Sequence, residues 1–125
     1  MTVGCLLLTS ILELQDDEGP DAFAAVLEEG FAHPARGVRT HSSRVWRDEI
    51  PLGPMVGSFQ RFETIELGED IGTVQDRTIY GLFPEDSIEM IRVEFRTWDL
   101  AAFDDIIDET TAMVSTTRVA MQETA

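Results

Sequence analysis

The segment from residue 91 to residue 114 changes its periodicity without an intervening Gly or Pro. Of all the features of the sequence, this change limits the possible folds most strongly. Apolar and charged residues alternate over 91–96, the period-two pattern of a strand with one solvated face. Further on, apolar residues recur at helical spacing with acidic residues on the opposite side. We therefore predict a strand over 91–96 that leads into a helix over 101–114, with Asp99 as its N-cap.

The N-terminal part contains one clear helix and one ambiguous element. Gly19-Pro20-Asp21 is a suitable helix start with proline near the first turn, and Gly30 ends the apolar pattern. We predict a helix over Asp21–Phe31. The apolar run Val3–Leu14 fits either a buried strand or a short helix, although the spacing of Leu8, Ile11 and Leu12 favours a helix.

The middle of the chain predicts further strands, which we expect to pair antiparallel. Val45-Trp46 indicates the first, Ser58–Leu67 the second and Arg77–Phe83 the third. The economical arrangement is a single α+β domain over residues 1–125. We expect a small antiparallel or mixed sheet with two helices packed on one face.

Between the first two of these strands, the segment Ile50–Gly57 contains two prolines and two glycines. This composition predicts an irregular exposed loop or an extended arm. Long irregular loops are often functional or contact partners, and this one would expose apolar side chains that its own sheet cannot bury. The side chains predicted to form a subunit interface are Ile50, Leu52, Met55 and Val56.

The charge balance limits the possible partners. The chain has 24 acidic and 9 basic residues, a formal net charge of −15, and every basic residue is Arg. Such a charge repels itself in dilute buffer and is screened at molar salt, where the Debye length is roughly 3 Å. The composition is typical of a halophilic host. It argues against nucleic-acid binding, which needs clustered Lys and Arg on phosphates.

Residues suited to catalysis or metal binding are scarce. Cys5 is the only cysteine and lies in an apolar run, while His33 and His41 are not part of a tight ligand cluster. We expect no catalytic, cofactor-binding or metal-binding residues, and hence no enzyme. The run Val3–Leu14 is too short to cross a bilayer, so we expect a soluble intracellular protein without a membrane partner.

The segments from Arg44 onward resemble, in their order, the tail-terminator (tail-completion) proteins of long-tailed viruses with flexible tails. That family has an N-terminal helix and a strand with an Arg-Val pair, as in Arg44-Val45-Trp46. A proline-containing stretch leads into a strand, as in Pro51–Leu67, and a later strand ends in a Trp-containing polar turn before a helix. The best-matching part is IRVEFRTWDLAAFDDIIDETTAMV. The resemblance rests on pattern, without an invariant motif.

This resemblance implies a small α+β domain with a structural, non-enzymatic role in assembly. The implied product is a homo-oligomeric ring, typically of six subunits, that caps the tail tube and joins it to the head connector. Its partners would be other copies of the chain and the neighbouring tail-tube and connector proteins. The implied location is the virion, assembled in the cytoplasm of a halophilic host, with Ile50–Gly57 reaching the neighbouring subunit.

Two other interpretations fit the same order of elements. One is a ferredoxin-like module, a class that often dimerises through its sheets and binds small molecules or acts as a cofactor-free oxygenase. A pocket lined by His33, His41 and Trp98 would favour it. The other is a regulatory subunit, such as one member of a toxin–antitoxin pair, with no site of its own.

Overall fold

The computed structural model describes residues 6–14, 19–65, 72–100 and 105–117. Its elements in chain order are β1 (Leu6–Glu13), α1 (Pro20–Ala32), β2 (Val38–Ile50), β3 (Gly53–Thr64), β4 (Thr73–Leu82), β5 (Glu89–Thr97) and α2 (Ile106–Ser115). The helix predicted over 21–31 and the strand predicted over 91–96 are confirmed. The ambiguous N-terminal run contains a strand, β1. Cys5 lies outside the described residues.

All five strands form one antiparallel sheet in the order β1-β5-β4-β3-β2. Strands β2 to β5 form a meander, in which each strand pairs with its neighbour in sequence. β1 instead pairs along its whole length with β5, from Leu6 opposite Arg96 to Glu13 opposite Glu89. β1 and β2 are therefore the two edges of the sheet.

The two helices pack on opposite faces of the sheet, so the prediction that they share one face is wrong. Adjacent residues of a strand point to opposite faces. On β4, the Tyr80 hydroxyl lies 2.6 Å from the Thr110 hydroxyl of α2. The next residue, Gly81, lies beneath the Phe23 ring of α1. Apolar residues on both faces of this sheet need cover, and one helix provides it on each.

The sheet also makes up most of the domain, so the prediction of a small sheet is wrong. Strands make up 53% of the described residues and helices 23%. The ferredoxin-like interpretation fails as well, because that module follows the order β-α-β-β-α-β. Here four consecutive strands separate α1 from α2. No helix within the described ranges is long and apolar enough to cross a membrane.

The core beneath α1 is built around the contact between Phe23 and Phe83. Their rings meet edge-on with centroids 5.9 Å apart, beside Ala24, Val56 and Met90. Gly81 is required here because a Cβ at this position would lie 2.7 Å from a carbon of the Phe23 ring. A side chain at position 81 would therefore push α1 away from the sheet.

The core beneath α2 is centred on Tyr80, which is fully buried. The rings of Trp46 and Phe95 contact it edge-on, at centroid distances of 5.9 Å and 6.4 Å. Its hydroxyl bonds the Thr110 and Thr111 hydroxyls, which attaches α2 to the sheet. Burial raises the pKa of the Tyr80 phenol above its usual value of 10.0, so the group stays protonated.

The segment Ile50–Gly57 is a tight hairpin, so the prediction of an irregular exposed arm is wrong. Ile50 pairs with Gly53, which leaves Pro51 and Leu52 as a two-residue turn between β2 and β3. Gly53 has a φ of 147°, a conformation that other residues rarely adopt. Gly57 allows the Trp46 ring to lie directly over the β3 backbone.

α2 begins later than predicted, and its N-cap is Asp105 instead of Asp99. The Asp105 carboxylate accepts a hydrogen bond from the backbone N–H of Asp108 at 3.1 Å. Asp99 follows β5, where its own backbone N–H donates to the Thr97 hydroxyl at 3.0 Å. Residues 101–104, where the helix was predicted to begin, lie outside the described residues.

Candidate subunit interface

β1 is an edge strand whose side chains are exposed on both faces of the sheet. All eight of its residues are exposed. Five of them are large and apolar: Leu6, Leu7, Leu8, Ile11 and Leu12. Ile11 is the most exposed of them, at 66%. Proteins usually avoid such an edge because it pairs readily with other chains.

The sequence of β1 is that of a strand buried on both sides. A continuous apolar run without alternation is typical of strands covered on both faces. In this domain α1 packs against β2 and β3, and α2 packs against β4. β1 therefore combines the composition of a central strand with the position of an edge strand.

The register with β5 assigns each side chain of β1 to a face. Its partners Met90 and Phe95 belong to the cores beneath α1 and α2, respectively. On the α1 face lie Leu6, Leu8, Ser10 and Leu12. On the α2 face lie Leu7, Thr9, Ile11 and Glu13. Both faces thus present leucine or isoleucine next to β5.

Two clefts lie beside β1 on the α2 face. The first, of about 280 Å³, has Leu7 on one side and Met113 and Val114 of α2 on the other. The second, of about 560 Å³, lies between Ile11 and Leu52 of the β2–β3 turn. The apolar surface of β1 therefore continues across β5 to α2 at one end, while the cleft at the other end also has Glu85, Asp86 and Glu89 in its lining.

The opposite edge, β2, is protected against pairing. Most of its exposed residues are polar or charged, and its register with β3 shifts between Thr40 and Ser42. Charged side chains and bulges are the usual means of protecting an edge strand. β2 is also anchored, because Arg47 forms an ion pair with Asp21 of α1.

The residues predicted for the interface do not form an accessible surface. Ile50, Met55 and Val56 are at most 8% exposed and belong to the cores beneath the two helices. Their side chains are unavailable to a neighbouring subunit because the tight hairpin places them inside the domain. Leu52 is half-buried and lines the larger cleft together with Ile11.

The residues considered for a ligand pocket do not share a cleft. His33 follows α1 and lies 3.5 Å from the Glu29 carboxylate, whereas His41 on β2 lies 3.4 Å from the Glu63 carboxylate. Trp98 follows β5 and is exposed. None of the three lines any of the five clefts described. Within the described ranges, no group of three His, Cys, Asp or Glu residues could hold a metal ion.

A buried charge cluster lies beside β1 on the α1 face. The Glu94 side chain is 3% exposed and accepts hydrogen bonds from Arg92 at 2.9 Å and from Arg96 at 2.7 Å. Arg77 on β4 donates to the side-chain oxygen of Gln60 at 2.5 Å. Its guanidinium also lies over the Phe62 ring, 4.9 Å from the centroid. This network connects β5, β4 and β3.

The electrostatics of this cluster suit a structural role. Burial raises the pKa of Glu94, but the hydrogen bonds from Arg96 and Arg92 outweigh burial and bring it below the ordinary 4.5. Burial lowers the pKa of Arg77, while the Glu94 charge opposes that change. At neutral pH Glu94 is therefore an ionised carboxylate engaged by arginines. It stabilises the sheet and offers no free base.

A second buried carboxylate, Asp76, is held in the same way on the α2 face. Arg61 donates two hydrogen bonds to its oxygens, at 2.7 Å and 2.9 Å. This pair lines a cleft of about 230 Å³ with Ile106 and Ile107 of α2. The hydrogen bond to Asp76 raises the pKa of Arg61. The bidentate geometry leaves both oxygens of Asp76 engaged by Arg61.

No protein-family model matches the sequence, and no curated protein is significantly similar to it. The function is therefore argued from the chain's own residues. The sequence prediction placed the interface at Ile50–Gly57, where three of the four named side chains are buried, and did not select β1. The available signal was the run from Leu6 to Leu12, which contains five large apolar residues, no charge and no alternation.

Proposed function

We propose that this protein is a non-enzymatic assembly subunit that associates with other copies of itself through β1. The supporting observation is the exposed apolar strand β1, which neither helix covers. Apolar surface of this kind stabilises a protein only when another surface removes it from water. A suitable partner must offer an open strand edge with apolar side chains above and below it. β1 of a second copy has these properties.

The buried carboxylates support a role without catalysis. A general base needs a free oxygen within hydrogen-bond reach of a substrate. Glu94 and Asp76 are instead engaged by arginines. His33 lies beside the Glu29 carboxylate, and His41 lies beside the Glu63 carboxylate. These groups maintain the fold and the charge balance of the subunit.

The narrower proposal is a structural role in a virion, at the head-proximal end of a viral tail, in a virus of a halophilic host. Its support is the resemblance of residues 44–114 to tail-terminator proteins, together with a surface suited to self-association. In an assembly of six subunits, pairing through β1 would supply one of two interfaces and join the subunits as three pairs.

The test is the native mass in several-molar KCl, measured by light scattering behind a sizing column. We expect the unmodified chain to be an oligomer and the double variant Leu7→Lys/Ile11→Lys to be a folded monomer. The matched control is Val26→Lys/Ser43→Lys, since both positions are exposed and lie on α1 and β2, away from β1. The control should keep the mass of the unmodified chain.

The possible masses separate the two levels of the proposal. A mass of six subunits supports the virion role, whereas a mass of two supports self-association without the ring. A monomeric unmodified chain, or an unchanged mass for Leu7→Lys/Ile11→Lys, would contradict self-association through β1. Circular dichroism of each variant shows whether the monomer has kept its sheet.

A further inference from the structure

We infer that two copies join β1 to β1 in antiparallel orientation, about a two-fold axis that is perpendicular to the sheet and passes between the two copies of Thr9. The inference rests on the proposed self-association and adds the partner strand and its register. The two sheets would continue into each other across the interface. β5, β4, β3 and β2 would follow in order on either side.

The partner strand in the second copy is its β1, because its β2 is a poor match for the apolar side chains of β1. A head-to-tail contact would place the leucines of β1 beside Arg, Asp and Glu side chains of β2. The bulge between Thr40 and Ser42 would also interrupt the hydrogen-bond ladder. Pairing β1 with itself places apolar residues together on both faces and leaves β2 in solvent.

The two-fold axis limits the possible registers. Residues directly opposite each other in an antiparallel pair point to the same face. The α1 face of one copy must continue into the α1 face of the other. One residue therefore lies directly opposite the same residue of the second copy, next to the axis. The candidates near the middle of β1 are Leu8, Thr9 and Ser10.

The register centred on Thr9 covers the exposed apolar residues best. It places Leu6 opposite Leu12 of the second copy on the α1 face, and Leu7 opposite Ile11 on the α2 face. Leu8 then lies opposite Ser10. The register centred on Ser10 would place Leu7 opposite Glu13. The register centred on Leu8 would pair Leu6 with Ser10 and Leu7 with Thr9.

This pairing also connects the clefts of the two copies. The cleft beside Leu7 in one subunit meets the cleft beside Ile11 in the other, because these two residues lie opposite each other. The paired segment, residues 6–12, is about 23 Å long at roughly 3.3 Å per residue. On the α2 face, Leu7 and Ile11 of the two subunits then flank the central pair of Thr9 residues.

The inference is tested by disulfide formation from Thr9→Cys in a chain whose Cys5 is replaced by Ser. On the axis, the two Cα atoms would lie about 4.5–5.5 Å apart, within the range that a disulfide spans. Thr9 is exposed and small, so the variant should fold. We expect mild oxidation in several-molar KCl to convert most of the chain into a covalent dimer.

Two control variants in the same background define the register. In Ser10→Cys the two thiols would be diagonal neighbours, with Cα atoms about 7–8 Å apart, too far for an unstrained disulfide. Ser43→Cys places an exposed thiol on β2 and reports random collisions. We expect both controls to cross-link about tenfold less than Thr9→Cys, because the distance limit is steep.

Each outcome bears on the inference or on the proposed function separately. Faster cross-linking of Ser10→Cys than of Thr9→Cys overturns the register. An oligomer in which Thr9→Cys does not cross-link overturns the two-fold pairing and leaves self-association standing, as in a head-to-tail ring. A monomeric chain without cross-links overturns both.

Discussion

The two edges of this sheet differ in almost every property that determines whether an edge strand is left open. β2 has 13 residues, mostly polar or charged on its exposed side, with a bulge and contacts to α1. β1 has 8 residues, five of them large, apolar and exposed, and pairs only with β5 within the described residues. The difference is that β2 has the properties of a protected edge, whereas β1 has the composition of a covered strand.

The comparison also separates stability from association. Side chains of β2 reach into the cores, whereas those of β1 remain outside them. Substitutions in β2 should therefore change the free energy of unfolding, and substitutions in β1 should change the affinity between subunits.

The largest effect is expected for Trp46→Ala in β2. The substitution removes the ring that covers Gly57 and contacts Tyr80, which should lower the free energy of unfolding by about 3 kcal/mol. Denaturant titration in molar KCl measures this loss. The matched substitution in β1, Ile11→Ala, should change the stability of the monomer by less than about 0.5 kcal/mol. Equal losses for the two variants would contradict the distinction between the edges.

The next effect concerns the charge cluster on β5, the strand that pairs with β1. Glu94→Gln leaves its arginines without their ionised partner and should cost about 2 kcal/mol of unfolding free energy at neutral pH. The folded pKa of Glu94 lies below the ordinary value of 4.5. Its contribution is therefore complete above that value and is lost as the pH falls through the folded pKa.

Titration of unfolding free energy against pH checks this sign. The difference between the unmodified chain and Glu94→Gln should be constant above pH 4.5 and should shrink at lower pH. A difference that grows as the pH falls would contradict the assigned shift in the Glu94 pKa. Asp48→Asn removes an exposed carboxylate of β2 and serves as the control for the loss of one negative charge.

The smallest effect is the dependence of association on salt. Each copy has a net charge of −15, so two copies repel each other, and screening by salt weakens that repulsion. An apolar contact through β1 should therefore tighten, by about tenfold between dilute and molar KCl. Sedimentation at several salt concentrations measures the dissociation constant. Weaker association at high salt would indicate a contact between opposite charges and would contradict an apolar one.

The elements that could be predicted from the sequence are those with a local signal. The alternation over 91–96 and the start signal at Gly19-Pro20-Asp21 correspond to β5 and α1. Val45-Trp46 lies within a much longer strand, β2. In each case the residues that determine the structure are neighbours in the chain, so their periodicity is sufficient.

The predictions that were wrong concern features that depend on contacts between residues far apart in the chain. Gly57 and Gly53 favour a loop when only their neighbours in sequence are considered. In the structure, the Trp46 ring lies over Gly57, and the backbone of Phe83 lies against Gly53. Opposite placement of the helices follows from Tyr80 and Gly81, which face different elements. The apolar run of β1 predicts burial, yet all eight of its residues are exposed, and no local pattern reveals that this strand lies at the edge of the sheet.

The most direct test of the account is hydrogen–deuterium exchange in molar KCl at low and high protein concentration. The backbone amides of residues 6–13 should exchange more slowly at high concentration, because association covers β1 and pairs its open edge. Those of residues 38–50 should exchange equally at both concentrations. Slower exchange confined to β2, or no dependence on concentration in either strand, would contradict the assignment of β1 as the interface.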